Sequence, residues 1–319
     1  MQRYIARRLA LSVPTIFGVT ILIFLAMRVI PGDPLDMIQS EGSSRRVLSA
    51  EELQQARASL GLDKPYPVQY AEWIGAVARG DLGQSFWRGD KVRDIIARRA
   101  PITAEIAFLA ITISWVVGIP IGILGAIRPG SWLDVLARLG VILFLAIPSF
   151  WLGLLLIAGS VIWLNWRPSL TIVYFTDDPV KNLQMVIGPA LVMGIGLAAV
   201  VARVARSSTL EVLHEDYVRT ARAKGAPEKV VLMLHVFRNA LLPIITVSGL
   251  ALGGLLGGSV AVERAFGVPG LGQALVMALN ERDWMVIQNL VLLYGLIFTA
   301  LNLLVDISYG LVDPRIRYG

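Results

Sequence analysis

Few residues in this chain have side chains that could perform covalent or metal chemistry. The sequence has two histidines, His214 and His235, and no cysteine. A histidine-rich or thiolate metal site and a disulfide framework are therefore excluded. Ser207, Ser208 and His214 do not form a credible nucleophilic triad, because they lie on one polar segment with no pocket implied. We expect no catalytic residue, cofactor or metal in this chain.

A glycine-rich stretch, Gly267-Val-Pro-Gly-Leu-Gly272, resembles a phosphate-binding loop only superficially. The Lys-Ser/Thr pair with which a P-loop binds phosphate and Mg²⁺ does not follow it. The sequence also contains no G-x-G-x-x-G run placed after a strand. We predict a turn on the external side and no nucleotide site.

The most informative polar stretch is Glu211–Gly225, which carries acids and bases between two apolar regions. Leu210, Leu213, His214 and Tyr217 recur at helical spacing, as do acidic and basic residues on another face. Gly225-Ala226-Pro227 breaks this helix, and Glu228 begins a second helix that leads into the next apolar region. The pattern predicts a helix–turn–helix.

This helix–turn–helix has two interpretations. It is either an ordinary solvated connector or a docking element for another protein. The small residues Ala221 and Ala223, followed by the sharp turn at Gly225, would let a partner approach the backbone closely. We favour the docking element.

Composition indicates a membrane protein. Of 319 residues, 55% are hydrophobic and 16% are charged, with a mean hydropathy of +0.66. Soluble domains carry about a quarter charged residues. The net charge of +6 does not require nucleic acid as a partner, since membrane proteins collect Lys and Arg on their cytoplasmic side. We expect no nucleic-acid binding.

Charge-free windows long enough to cross a bilayer (about 20 residues) predict six helical spans. The first is too long for the core of a secretory signal and is expected to be retained. The windows lie between these pairs of charged residues: Arg8 and Arg28, Glu105 and Arg128, Arg138 and Arg167, Lys181 and Arg203, Arg238 and Glu263, and Asp283 and Asp306.

The short connections place most of the arginine and lysine on one face of the membrane, which predicts that both termini are cytoplasmic. We expect three regions: the amino terminus with the first span over 1–30, a small extracytoplasmic domain over 31–100, and a five-helix core over 101–319. The polar loop of that core is 206–238.

In the external domain, Ser49 and Glu52 form a capping-box pattern for a helix that ends near Gly61. This domain either only packs on the spans or also contacts an external partner.

The spans contain no central ionisable residue, which disfavours a proton- or sodium-driven carrier and a charged selectivity filter. The fifth span is rich in small residues, as close helix packing or a pore-facing surface requires. The candidate pore or packing residues are Ser248, Gly249, Gly253, Gly257 and Ser259.

The polar loop resembles the EAA signature of ABC importer permeases. The matching residues are Tyr217-Val-Arg-Thr-Ala-Arg-Ala-Lys-Gly225 and Arg238-Asn-Ala-Leu-Leu-Pro243. Arg219-Thr220-Ala221 stands where Glu-Ala-Ala is usual, and this variant is similar to that of the dipeptide/oligopeptide/nickel branch. Motifs along the whole chain resemble the first of that family's two permeases: Pro31-Gly-Asp-Pro34, Leu60-Gly-Leu-Asp-Lys-Pro65, Gly80-Asp-Leu-Gly83, Pro269-Gly-Leu-Gly272, Asn302-Leu-Leu-Val-Asp306 and Asp313-Pro-Arg-Ile-Arg317.

The resemblance implies an all-α, six-span protein with the type I ABC importer permease fold, in a bacterial or archaeal inner membrane. It implies four kinds of neighbour: a homologous second permease, two ATPase subunits that bind ATP-Mg, an extracytoplasmic solute-binding protein and the lipid bilayer. The residues that would couple to the ATPase are Glu215, Asp216, Tyr217, Arg219, Thr220, Ala221, Ala223, Lys224 and Gly225.

For function, the resemblance implies half of a translocation pore for di- and oligopeptides, with ATP hydrolysis on other subunits. Nickel chelates, glutathione and oligosaccharides remain open as solutes. A secondary carrier or channel, or a membrane scaffold that only anchors a partner, are the other hypotheses.

Overall fold

The computed structural model describes residues 2–29, 35, 50–165 and 171–312. Within these ranges the elements are helices joined by turns and loops, and one isolated bridge pairs Gln84 with Lys91. The first helices are α1 (Gln2–Val29), α2 (Ala50–Ser59), α3 (Tyr66–Ala78), α4 (Val92–Ile127), α5 (Trp132–Ala146), α6 (Ser149–Leu164) and α7 (Pro179–Leu213). They are followed by α8 (Asp216–Ala223), α9 (Glu228–Val230), π-helical turns over Val231–Phe237, α10 (Arg238–Phe266), α11 (Leu271–Asn280) and α12 (Trp284–Val312).

Five of these helices are long and apolar enough to cross a membrane, and a bent pair raises the number to six if it is one span. The bent pair is α5 and α6, which meet at 101°. The third charge-free window was expected to be one span, and the structure places this bent pair there, which is either one broken span or a re-entrant loop. Pro148 has no amide hydrogen and disfavours helical geometry at the residue before it, so Ile147 is extended (φ −88°, ψ 122°) and the helix ends.

The centre of the bundle is a close pair of long helices, α4 and α7, which run in the same direction. Gly118 packs on the backbone of Ala198, and Gly122 on that of Ala202. A Cβ atom at Gly122 would lie 2.5 Å from the Ala202 carbonyl oxygen, so glycine is required for this approach. Small residues spaced four apart are a common way for membrane helices to pack closely.

The helix of the second span begins at Val92, so the predicted domain boundary at residue 100 falls inside α4. The reason is that a charge-free window marks only the hydrocarbon part of a helix, whereas α4 continues through Asp94, Arg98 and Arg99 beyond that part.

The external region packs on the spans. On α3, Tyr70 hydrogen-bonds Thr20 of α1 at 2.8 Å, and Trp73 stacks on Phe24. The loop that follows α3 is held at the start of α12, where buried Asp283 accepts hydrogen bonds from the Ser85 hydroxyl (2.5 Å) and the Phe86 amide (3.1 Å). The sequence left two roles open for this domain, packing on the spans alone or also contact with an external partner. The contacts described here are those of packing on the spans.

Helix α2 lies where the capping pattern predicts a helix, and Gly61 has the left-handed conformation (φ +67°) typical of a helix end. The predicted cap, Ser49, lies outside the described residues, as does the side chain of Glu52.

Candidate functional site

The predicted docking segment is a short separate helix, α8, between the end of α7 and the start of α9. Helix α7 ends at Leu213, and Glu215 is extended (φ −67°, ψ 144°), so the chain changes direction before α8 begins. The expected single helical face from Leu210 to Tyr217 is therefore interrupted at His214 and Glu215. The residues of this face keep helical spacing across the break, and for this reason the periodicity of the sequence did not reveal it.

One buried side chain fixes α8 to the rest of the molecule. Val218 is fully buried and forms a small apolar cluster with Val231 and Val236 of the π-helical turns. Ala221 also packs on this cluster. Ala221, which was expected to let a partner approach the backbone closely, is thus partly buried against its own chain. Its role in docking stays a prediction. Val218 could have been identified from the sequence, because it is the β-branched apolar residue of an otherwise mostly polar helix.

The turn after α8 has the hydrogen bonds of a Schellman motif. Gly225 is left-handed (φ +77°), its amide donates to the Arg222 carbonyl at 2.9 Å, and the Ala226 amide donates to the Ala221 carbonyl at 3.2 Å. Arg222 also forms an ion pair with Glu228 across the turn at 2.7 Å, and this partner raises the pKa of the guanidinium. The predicted turn at Gly225 is confirmed in position and has a defined geometry.

The remaining predicted coupling residues share an exposed surface. We call this surface the α8 face; it consists of Glu215, Asp216, Tyr217, Arg219, Thr220, Ala223, Lys224 and Gly225. Asp216 and Arg219 lie 3.5 Å apart with exposed fractions of 95% and 69%, so neither is committed to a buried pair. Burial, and then the charge of Glu215, raises the pKa of the Tyr217 phenol, which stays neutral at physiological pH.

The five candidate pore or packing residues of α10 have different surroundings. Gly249 and Gly253 lie against Val305 and Phe298 of α12 and are packing residues, and Ser248 accepts a hydrogen bond from the Trp115 indole at 2.8 Å. Ser259 is buried. Gly257 alone is exposed, and no atom of the described chain lies within 4 Å of the position of an added Cβ.

The stretch Gly267–Gly272 forms the predicted turn. Buried Glu263 lies at the place where a phosphate loop would hold an anion. It accepts hydrogen bonds from the Thr103 hydroxyl (2.9 Å) and the Gln273 amide (3.1 Å) at the start of α11. The protein's own carboxylate thus satisfies this helix terminus. The sequence did not indicate this network, because Glu263 appeared only as a residue bounding the fifth span.

In the part of the chain that the structure describes, no group of three or more potential metal-ligating side chains comes together. The Ser207 hydroxyl donates to backbone carbonyls of its own helix, and the His214 ring contacts the Leu210 carbonyl at 2.6 Å. The described residues form a helical bundle with one short, mostly exposed polar helix, α8.

Comparisons with known proteins agree with this geometry. Residues 118–318 match the family model described as binding-protein-dependent transport system inner membrane component, and residues 1–107 match the model of the amino-terminal part of such components. The chain is 42% identical over 322 residues to a putative peptide transport system permease of Brucella abortus (strain 2308), and the match covers 100% of both proteins. It is 39% identical over 341 residues to the dipeptide transport system permease protein DppB of Escherichia coli (strain K12), covering 100% of this chain and 99% of that protein.

Among solved structures, an inward-facing MetNI methionine ABC transporter matches with a TM-score of 0.55 and 19% identity. It covers 69% of this chain and 96% of that one. At this identity the likeness shows the fold alone, which is that of a type I ABC importer permease. The chain therefore belongs to the family of inner membrane components of binding-protein-dependent transport systems.

Proposed function

We propose that this chain is the permease subunit of an ATP-driven importer of di- and oligopeptides and that the α8 face docks on a cytoplasmic ATPase. The observation that carries the proposal is the combination of full-length similarity to peptide permeases with a short exposed helix held by one buried anchor. The chain itself is a non-catalytic transport component.

The way in which α8 is attached supports a coupling role. Its anchor, Val218, contacts a cluster that also includes Val212 and Leu213 of α7 and Val231 and Val236, which lead into α10. Two spans therefore meet at the underside of one short helix. A displacement of α8 by a partner is transmitted to both spans, and ATP-driven approach of two ATPase subunits would in this way open the pore outward.

The solute path requires a second, homologous permease. On α10, Gly254, Gly257 and Gly258 are exposed and have no atom of the described chain within 4 Å of an added Cβ. Such a bare strip of backbone is suited to close approach by another helix or to a sliding pore surface. We assign it to the contact between the two permeases, with a solute-binding protein delivering the solute on the external side.

In this arrangement both termini and α8 are cytoplasmic, and the domain formed by α2, α3 and the following loop is extracytoplasmic. The excess of Lys and Arg in the loops joined to α8 supports this orientation. The host membrane would be the inner membrane of a bacterium or archaeon. Peptides lead as the solute because the relatives are named for peptide and dipeptide transport.

Uptake into reconstituted vesicles tests the proposal. The permease pair with its binding protein is expected to accumulate labelled dipeptide only when the ATPase subunits and ATP are enclosed. Uptake that persists without any ATPase would instead establish a secondary carrier or channel. Uptake of nickel chelate, glutathione or oligosaccharide in place of dipeptide would keep the importer and correct its solute.

A further inference from the structure

An apolar groove of about 330 Å³ lies between α4, α5 and α7. Its walls are hydrocarbon side chains and small residues from all three helices, among them Leu124, Leu136, Gly140, Phe144 and Ala199. Helix α5 forms one wall of the groove, and its exposed side chains are mostly large and apolar. None of its lining residues belongs to α8 or to the exposed glycines of α10.

Beside this groove lies a second cavity of about 270 Å³, which on α7 reaches further toward the end of the bundle that carries α8. The two share Ile121, Ala137, Val141 and Ala202. The second cavity is partly polar. Beside its apolar residues, it is lined by Arg138, Arg203, Arg206 and Ser207. The two cavities together therefore have a long hydrocarbon part and a cationic part, and the cationic part lies in the half nearer the end that carries α8.

The charges at this end do not cancel within the chain. Asp134, which is fully buried, accepts two hydrogen bonds from Arg206 at 2.6 and 3.0 Å, and these two groups neutralise each other. Arg138 reaches the same carboxylate only at 3.6 Å and is half exposed. Arg203 is exposed and forms no ion pair among the described residues. Two positive charges are left facing the groove.

The position of the membrane surface is marked at the same end. Trp132, the first residue of α5, is 73% exposed, and tryptophan concentrates at the level of lipid headgroups. Arg138 lies about 9 Å along α5 from Trp132, a distance that its long side chain can largely span toward the lipid phosphates. The apolar groove runs past this level and further into the bundle, to Phe144 and Ile195.

We propose that this groove is a binding site for one anionic phospholipid, with an acyl chain against α4, α5 and α7 and the phosphate between Arg138 and Arg203. Basic pockets between membrane helices bind anionic headgroups in this way. Arginine suits the role because its planar group can give two hydrogen bonds to one phosphate. The Ser207 hydroxyl lies in the same cavity lining. The site does not depend on the identity of the solute.

The position of the site has a consequence for transport. Arg203 and Ser207 lie on the last turns of α7, which ends at Leu213 just before α8. A lipid bound between α5 and α7 would hold these two helices at a fixed distance from each other. It would do so at the part of α7 through which movements of α8 are transmitted. We therefore expect anionic lipid to change the rate of ATP-driven transport as well as to bind.

Native mass spectrometry of the complete transporter, released from nanodiscs of mixed phosphatidylglycerol and phosphatidylcholine, tests the proposal. The wild type is expected to retain phosphatidylglycerol preferentially. An Arg138→Gln/Arg203→Gln variant should lose this preference by roughly thirtyfold, since each basic side chain near a lipid surface contributes about a factor of five. The matched control is Arg128→Gln, because Arg128 is exposed at the same end of α4 but does not line the groove.

Filling the groove is the second arm. Gly140 lines it, and nothing lies within 4 Å of an added Cβ there, so Gly140→Leu should fold normally and displace the acyl chain. Gly18→Leu on α1, where the space is also open, is the control. Unchanged phosphatidylglycerol retention in both groove variants would overturn the proposal. So would a photo-crosslinking residue at position 140 that labels the second permease and not lipid.

Discussion

At the scale of single residues, the proposed coupling surface, the α8 face, is exposed, and one buried side chain, Val218, attaches its helix to the bundle. Helix α8 has eight residues, and its buried residue is Val218. Isolated helices of this length are not stable in water, so α8 takes its stability from the anchor and the turn. The exposed residues of the α8 face could be predicted from sequence because their pattern is local. Val218 was missed as an anchor because its partners, Val231 and Val236, follow the turn.

Replacing the anchor with a charge should detach α8. In Val218→Asp, a carboxylate would be placed in a fully apolar cluster, and the helix is expected to leave its position. ATPase co-purification with the permease should fall at least tenfold, while the amount of permease in the membrane stays unchanged. Val230→Asp is the control, because Val230 is exposed next to the same cluster. Equal loss in both variants would show that α8 is not specifically anchored by Val218.

The left-handed backbone conformation at Gly225 can be tested with substitutions that differ only in how well they tolerate a positive φ. The space around Gly225 is open, so a substitution there is limited by its positive φ and not by contacts. Gly225→Val should weaken ATPase binding, because a β-branched residue in the left-handed region costs about 1–3 kcal/mol. Gly225→Asn should weaken it less, because asparagine tolerates this region. The comparison is made by co-purification and by ATPase stimulation in vesicles, and equal effects would contradict the turn geometry.

At the scale of elements, the positions of the spans followed from charge-free windows, but their ends and bends did not. Helices α4 and α7 have 36 and 35 residues and extend beyond the hydrocarbon windows, where charge no longer marks a boundary. The bend at Pro148 was visible as a proline, yet proline lies inside α1 and α4 without ending them. Helix α5 packs on α4 and α7, whereas α6 packs on α7 and α10, and these contacts between distant parts of the chain cannot be read from the sequence.

The contact between α4 and α7 depends on glycine, which gives a prediction for these elements. Gly122→Leu would force side-chain atoms into the Ala202 backbone and separate the helices. We expect the free energy of unfolding in detergent to fall by about 1–3 kcal/mol or more, measured by thermal unfolding. Gly196→Leu on α7 is the control because an added Cβ there meets open space. A similar effect of both variants would argue against close packing as the cause.

At the scale of the whole molecule, the proposed orientation can be tested because the chain has no cysteine. Ala223→Cys on the α8 face and Ala71→Cys on α3 are exposed positions on opposite sides of the proposed topology. A membrane-impermeant maleimide should label Ala71→Cys in intact cells and Ala223→Cys only in inverted vesicles. Labelling of both from one side would overturn the orientation.

The contacts that shape α8 also determine the order in which a transporter could be assembled. They come from a short stretch of chain, from Leu210 at the end of α7 to the π-helical turns before α10. Contacts between residues close in sequence form early and need no distant part of the chain. The α8 face is thus complete on a single newly made chain. Under the proposed docking role, an ATPase subunit would recognise one permease before the second permease has joined it, and biogenesis would not wait for the pore to be built.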